Sequence, residues 1–189
     1  MFNSSFCGKA LVSIGLLSLS LAAAAFEDRS PGIYLEGGRA PHGPDSTDML
    51  GVGVVVPWAP FEVLRDGPFS LNGDFFVSHW RAPNAGNTEN QSYTQIGAVA
   101  NLRYRFDGGA SPWFTEVGLG ATVLDGIYRT PSREFSTRFQ FTEFLGVGRS
   151  FGQRGEHELS LRIQHVSNAD IKQPNPGENF WRVRYLYRF

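Results

Sequence analysis

Segments in which polar and apolar residues alternate recur along most of the chain, and this pattern limits the folds open to it. Successive side chains of a β-strand point to opposite faces, so alternation predicts strands with one apolar and one polar face. Each segment is near the length that crosses a bilayer as a tilted strand. We predict eight such strands, over residues 32–39, 48–58, 69–81, 92–106, 112–125, 138–150, 156–168 and 179–189.

The connections between these segments alternate in length. Those around 107–109 and 152–155 are tight and glycine-rich, and 59–68 is a longer link where a short turn is expected. The other connections are longer and richer in Pro, Asn and Asp, and they cover 40–47, 82–91, 126–137 and 169–178. Short periplasmic turns with longer outer loops are typical of bacterial outer-membrane proteins. The chain is therefore predicted to be all-β, an eight-stranded antiparallel transmembrane β-barrel of the bacterial outer membrane.

The two faces of the predicted strands indicate which side meets lipid. The last strand has an apolar face of Trp181, Val183, Tyr185, Tyr187 and Phe189 and a polar face of Arg182, Arg184 and Arg188. The polar faces carry charges of both signs and glycine, which suits a narrow interior filled by ion pairs. The apolar faces end in aromatic residues, as interfacial girdles do. Leu186 on a polar face and Glu143 on an apolar face depart from the pattern.

The first residues of the chain are typical of a targeting segment. Lys9 precedes an apolar run too short to span a bilayer comfortably, and alanines follow up to Ala25. This predicts a secretory signal peptide over residues 1–25 and a barrel domain over 26–189. Cys7, the only cysteine, is lost with the signal, which excludes disulfides in the mature domain. Cleavage also removes Lys9 from 17 basic residues against 18 acidic ones, and an acidic balance argues against a nucleic-acid partner.

His165 and Ser167 are the residues that most suggest chemistry. They lie two positions apart in a predicted strand, so their side chains share a face, and that face also carries Leu161 and Ile163. A tilted strand rises roughly 2.3 Å in height per residue, which places His165 ~21 Å up an apolar band about 25 Å tall. A base and a hydroxyl thus stand together near the outer rim, where acyl chains meet headgroups and water is available.

The segment around this pair resembles the lipid A 3-O-deacylase (PagL) family. The resemblance rests on the run His-x-Ser-Asn-Ala at 165–169, then Lys-Gln-Pro-Asn at 172–175, then a Glu before the last strand. It implies a serine esterase that hydrolyses the 3-O-linked acyl chain of lipid A in lipopolysaccharide. The implied partners are lipid A and the outer membrane; no cofactor or metal is implied, and a homodimer is left open.

The resemblance also implies roles for individual residues. Ser167 would attack the ester, His165 would act as general base and then acid, and Glu178 would orient the imidazole. An oriented base is needed because a hydroxyl is a poor nucleophile until its proton is removed. For the oxyanion, the candidate donors are the backbone N–H groups of Asn168 and Asp170 and the side chain of Asn175. Asp170 stands where the family often has glycine.

The third member of the site has three candidates. Strict alternation places Asn179, not Glu178, on the face of Trp181 and so on the face of the predicted catalytic pair. Glu178 needs a bulge or a loop geometry to reach His165. Asn179 or Asp170 could take the orienting role instead.

Two other functions are open to a barrel of this kind, and other polar residues have alternative interpretations. The alternative from another class is a non-enzymatic barrel that acts as an anchor or adhesin; an acyltransferase barrel would need an acyl-sized interior cavity. A metal at His42 fits no ligand spacing, and a solvated loop is the favoured interpretation. The basic residues predicted at the outer rim could contact phosphates or extend to the interface; they are Arg81, Arg129, Arg133 and Lys172.

Overall fold

A computed structural model describes residue 26 and residues 28–189, and the predicted signal peptide lies outside these residues. The described chain folds into strands β1 Gly32–Ala40, β2 Thr47–Pro57, β3 Phe69–Pro83, β4 Asn90–Arg105, β5 Trp113–Leu124, β6 Phe139–Phe151, β7 His157–Ser167 and β8 Glu178–Arg188. Short 3₁₀ turns lie at Gly43–Asp45, Glu62–Leu64 and Asp107–Gly109. The first, second, third and fourth outer loops are residues 41–46, 84–89, 125–138 and 168–177.

The eight strands form a closed antiparallel barrel in which each strand pairs with its sequence neighbours and β1 pairs with β8. The predicted fold is therefore confirmed, with strand ends shifted by a few residues. The long 59–68 link contains the turn Glu62–Leu64, whose Leu64 packs inward. No helix within residues 26 and 28–189 is long and apolar enough to span a bilayer.

The outer surface of the barrel is apolar, as the alternation predicts. Along β8 every second residue is exposed and the residues between them are buried. The exposed side chains include Ile33, Leu35, Leu50, Val52, Phe75, Val77, Ile96, Leu119, Leu145, Leu161, Ile163, Trp181 and Val183. Exposure of such an apolar surface to water would be unfavourable, whereas its contact with lipid tails is favourable.

Charged side chains fill the middle of the barrel. Arg184 donates to Glu36 at 2.8 Å and to Asp74 at 2.5 Å, and Arg162 donates to Glu116 at 2.7 Å. Toward the periplasmic end, further ion pairs join Arg103 and Arg188 to Glu158. Buried charges are tolerated only when they are paired, and each of these guanidinium groups is paired with a carboxylate.

Apolar side chains share the interior with these charges and form two buried clusters. Leu186, which departs from the polar pattern of its strand, packs in a buried cluster with Tyr34, Val55, Phe76, Val99 and Phe144. A second cluster fills the outer end of the barrel and consists of Ala40, Met49, Trp80, Ala82, Tyr93, Leu124, Tyr128, Phe135, Val166 and Phe180. These clusters occupy space inside the barrel where an acyltransferase of this architecture would need an acyl-sized cavity.

The segment before β1 folds under the periplasmic end. Asp28 accepts hydrogen bonds from Arg103 at 2.8 Å and from Arg105 Nε at 2.6 Å. Phe26 stacks against the Arg105 guanidinium at 4.0 Å. Burial alone raises the pKa of Asp28, but the surrounding Arg103, Arg105 and Arg188 hold it well below its usual range. The carboxylate thus anchors this segment to the barrel wall.

Candidate active site

His165 and Ser167 lie at the outer end of β7, and Ser167 is its last residue. Both side chains are half-buried on the lipid-facing surface, two residues beyond the exposed Ile163. The pair thus occupies the rim position that the sequence predicts. Among the described residues no hydrogen bond joins the two side chains.

Asn179 contacts the imidazole of His165. The two residues are direct cross-strand partners between β7 and β8, and His165 Nδ1 lies 2.7 Å from Asn179 Oδ1. An amide oxygen only accepts, so Nδ1 carries the proton. Nε2 is then the unprotonated nitrogen, which is the form a general base requires.

Glu178 points to the opposite side of β8 and does not contact His165. Its side chain is fully buried inside the barrel, where it accepts hydrogen bonds from His42 Nε2 at 2.5 Å and Tyr128 Oη at 2.9 Å. β8 begins at Glu178 in regular register with Val166, without the bulge that would turn the carboxylate outward. The residue that contacts His165 is Asn179, which strand alternation indicates, and not Glu178, which the family resemblance implies.

Gly177 lies against the imidazole of His165. Its φ is +62°, and a Cβ built there would lie 2.6 Å from His165 Cε1 and 3.1 Å from Nε2. Glycine is therefore required twice, once for the backbone conformation and once for the close approach of the ring. This contact lies at Cε1 and Nε2 of the ring, whereas Asn179 contacts Nδ1.

The fourth loop folds back on itself beyond Ser167. The Asn168 N–H donates to Asn175 Oδ1 at 3.0 Å, so this predicted oxyanion donor is already occupied. The Asp170 carboxylate accepts from the Gln173 and Asn175 side-chain amides at 2.8 and 3.0 Å. Ala169 and Asp170 have φ of +51° and +61°, a left-handed turn that carries backbone strain. In the described chain no acceptor is recorded for the Asp170 N–H.

The Asn168 side chain anchors the fourth loop to the third. It is 1% exposed and donates to Ser136 Oγ at 2.8 Å and to the Lys172 carbonyl at 2.7 Å. Ser136 also donates to that carbonyl, at 2.6 Å. The position of the loop after Ser167 thus depends on a neighbouring loop.

Glu143, which departs from the lipid-facing pattern of β6, is the cross-strand partner of His165. Its side chain is exposed on the same surface as His165 and Ser167. Directly opposed residues of an antiparallel pair have Cβ atoms about 5 Å apart. His165 is therefore flanked by Asn179 on β8 and by a carboxylate on β6, and the exception in the strand pattern falls at the site.

The remaining polar candidates separate into two groups. Arg81, Arg129 and Lys172 have exposed side chains, and Arg129 pairs with Glu134 at 2.9 Å. Arg133 instead turns inward and contacts His42. Within residues 26 and 28–189 no group of three or more His, Cys, Asp or Glu residues is placed to hold a metal ion.

Comparison with known proteins identifies the family. The sequence profile described as lipid A 3-O-deacylase (PagL) matches residues 50–188. The chain belongs to this family. A lipid A deacylase PagL from Bordetella bronchiseptica is 28% identical over 181 residues, which cover 96% of each chain. The lipid A deacylase PagL of Pseudomonas aeruginosa is 29% identical over 82 residues, 43% of this chain and 46% of that one.

Solved structures with the same fold include the outer-membrane enzyme PagL. That crystal structure superimposes with a TM-score of 0.60 at 20% identity and covers 82% of this chain and 99% of its own. Neisserial surface protein A follows with a TM-score of 0.50 at 11% identity, over 84% and 96% of the two chains. As a member of the PagL family, this chain is an ester hydrolase of the outer membrane, and the predicted location and enzyme class are confirmed.

Proposed function

We propose that this PagL-family member hydrolyses the 3-O-linked acyl ester of lipid A with Ser167 as nucleophile and His165 as base. The observation that carries the proposal is the lipid-facing pair of His165 and Ser167, with His165 hydrogen-bonded to Asn179 at 2.7 Å. A lipid ester in the same leaflet meets this surface directly, without leaving the membrane. The height of the pair matches the level where acyl chains join the sugar.

The reaction proceeds in two steps, acylation of Ser167 and hydrolysis of the acyl-serine. His165 Nε2 takes the Ser167 hydroxyl proton while the oxygen attacks the ester carbonyl. Collapse of the tetrahedral intermediate breaks the bond to the sugar oxygen, which takes that proton and leaves as the lipid A 3-hydroxyl. Water, deprotonated by His165, then attacks the acyl-serine. The bond from the acyl carbon to Ser167 Oγ breaks, Oγ takes the proton from His165, and the fatty acid is released.

Asn179 takes the orienting role in this mechanism. Its amide oxygen fixes the tautomer and the ring plane, as the Asn of Cys-His-Asn sites does. It adds no negative charge, so stabilisation of the imidazolium falls to the surroundings, where Glu143 is the cross-strand carboxylate. The catalytic set is thus Ser167, His165 and Asn179, with Glu178 outside it.

The oxyanion requires donors beside Ser167. The Asp170 N–H is the candidate, because the Asn168 N–H is bound by Asn175. The Asp170 carboxylate accepts from two amides, which reduces the field that it would direct against an oxyanion.

The test is the lipid A of a host strain that expresses the protein. Mass spectra are expected to show loss of one ester-linked acyl chain, and fragmentation to place that loss at the 3-position. Ser167→Ala should abolish it, with a fall of at least about 10³-fold in rate. Unchanged spectra with the wild-type protein folded in the membrane, or loss from another position, would refute the proposal.

A further inference from the structure

Two outer loops and the start of β8 meet inside the barrel directly behind the site. Glu178 accepts from His42 of the first loop at 2.5 Å and from Tyr128 of the third loop at 2.9 Å. Arg133, also of the third loop, lies 3.3 Å from His42 Nδ1. We name His42, Tyr128, Arg133 and Glu178 the loop clamp. Neither the mechanism above nor the packing of the lipid-facing surface uses these residues.

The protons of the clamp follow from its donors. Arg133 can only donate, so His42 Nδ1 accepts and Nε2 carries the proton given to Glu178. Tyr128 also donates to Glu178, and burial together with that carboxylate raises the pKa of its phenol. The Asn179 N–H also donates to Glu178 Oε1, at 3.0 Å, so the buried carboxylate accepts three hydrogen bonds. A fully buried carboxylate needs such partners, so the arrangement is specific rather than incidental.

The clamp contacts both backbone positions that touch His165. Arg133 Nη1 donates to the Gly177 carbonyl at 2.9 Å, on the residue whose Cα supports the imidazole. Glu178 accepts from the N–H of Asn179, whose side chain binds His165 Nδ1. The clamp therefore fixes the chain from 177 to 179 on the inner side while His165 rests on its outer side.

We propose that Glu178 is a positioning residue, which with His42, Tyr128 and Arg133 fixes Gly177 and Asn179 so that the His165 imidazole is correctly oriented for Ser167. The proposal rests on the Ser-His mechanism above. It assigns an enzymatic role to the first loop, which is remote from Ser167 in sequence. A misplacement of about 1 Å in a catalytic group lowers the rate about 10²-fold, so the clamp need not touch substrate to matter.

The experiment measures the reactivity of Ser167 with a fluorophosphonate probe and, separately, kcat and KM for lipid A in mixed micelles. His42→Ala and Glu178→Gln are expected to slow phosphonylation and kcat by about 10-fold or more, with KM within a factor of about three. His42→Gln keeps a side-chain donor and should recover most of the loss. With Asn179→Ala already present, His42→Ala should add little, because both act through the same imidazole.

Glu158→Gln is the matched control, since Glu158 is also buried and ion-paired but lies at the periplasmic end. It should lower barrel stability at least as much as Glu178→Gln while phosphonylation stays at the wild-type rate. The proposal is overturned if His42→Ala reacts like wild type, or if Glu158→Gln loses reactivity equally. Normal phosphonylation without lipid A deacylation would refute the proposed substrate and leave the clamp standing.

Discussion

At the scale of single residues, the pairing of His165 with Asn179 carries the most chemical information. Asn179→Ala removes the acceptor for Nδ1–H, and we expect kcat to fall about 10²-fold. Asn179→Asp keeps the acceptor and adds a charge that stabilises the imidazolium, so kcat should equal or exceed wild type. Steady-state hydrolysis in mixed micelles measures both, with Asn90→Ala on an exposed part of β4 as control. A normal rate for Asn179→Ala with an inactive Glu178→Ala would return the orienting role to Glu178.

A substitution at Gly177 gives a second residue-level prediction. Comparison with a control glycine of similar φ separates the effect of backbone strain from the effect of contact with the imidazole. Gly177→Ala forces a Cβ to within 2.6 Å of His165 Cε1, so the ring must move and kcat should fall about 10²-fold. Gly108→Ala, in the turn Asp107–Gly109, is the control, since Gly108 has nearly the same φ of +64° but nothing within 4 Å of a built Cβ. Equal activities of the two variants would show that the contact with the ring is unimportant.

At the scale of elements, the fourth loop depends on Asn168. Asn168→Ala removes the bonds to Ser136 and to the Lys172 carbonyl. We expect trypsin to cleave after the exposed Lys172 about 10-fold faster, because losing two buried hydrogen bonds costs on the order of 2 kcal/mol of local stability. Timed digestion of the purified barrel measures this. Asn84→Ala, in the second loop, should leave cleavage at Lys172 unchanged, and a general rise in cleavage would contradict the assignment.

The elements also show what could be predicted from the sequence. Period-two alternation is a local property, so it predicts all eight strands and places Asn179 on the face of His165. The partners of Glu178 could not be predicted in this way. His42 is 136 residues away in sequence and reaches Glu178 only because the barrel closes β1 on β8. The sequence likewise could not explain why Glu143 lies on a lipid-facing surface. The β6–β7 register, which sets Glu143 beside His165, provides the reason.

At the scale of the whole molecule, the charge network ties the N-terminal segment to the barrel. The pKa of Asp28 is lower in the folded chain than its ordinary value of 3.8, so its ionised form stabilises the fold. That stabilisation is present above pH 3.8 and disappears as the pH falls through the folded value. Asp28→Asn should therefore lower stability by about 3 kcal/mol at pH 7, with the difference from wild type shrinking in acid below pH 3.8.

Thermal unfolding followed at several pH values measures this difference. Asp66→Asn is the matched control, because Asp66 is exposed in the link between β2 and β3. It should leave the unfolding temperature within about a degree of wild type, as surface substitutions do. A difference for Asp28→Asn that stays constant from neutral to strongly acid pH would contradict the role given to its charge.

The outward placement of Ser167 and His165 also changes which concentration governs the reaction. With Ser167 as the proposed nucleophile and packed side chains inside the barrel, a lipid ester would reach it sideways, from the lipids that border β6, β7 and β8. Encounter is then a two-dimensional search, and its frequency follows the mole fraction of substrate within one leaflet rather than the amount per volume of cell. Neighbouring lipids that carry no cleavable ester dilute the substrate, so the lipid composition of the membrane sets the rate of hydrolysis.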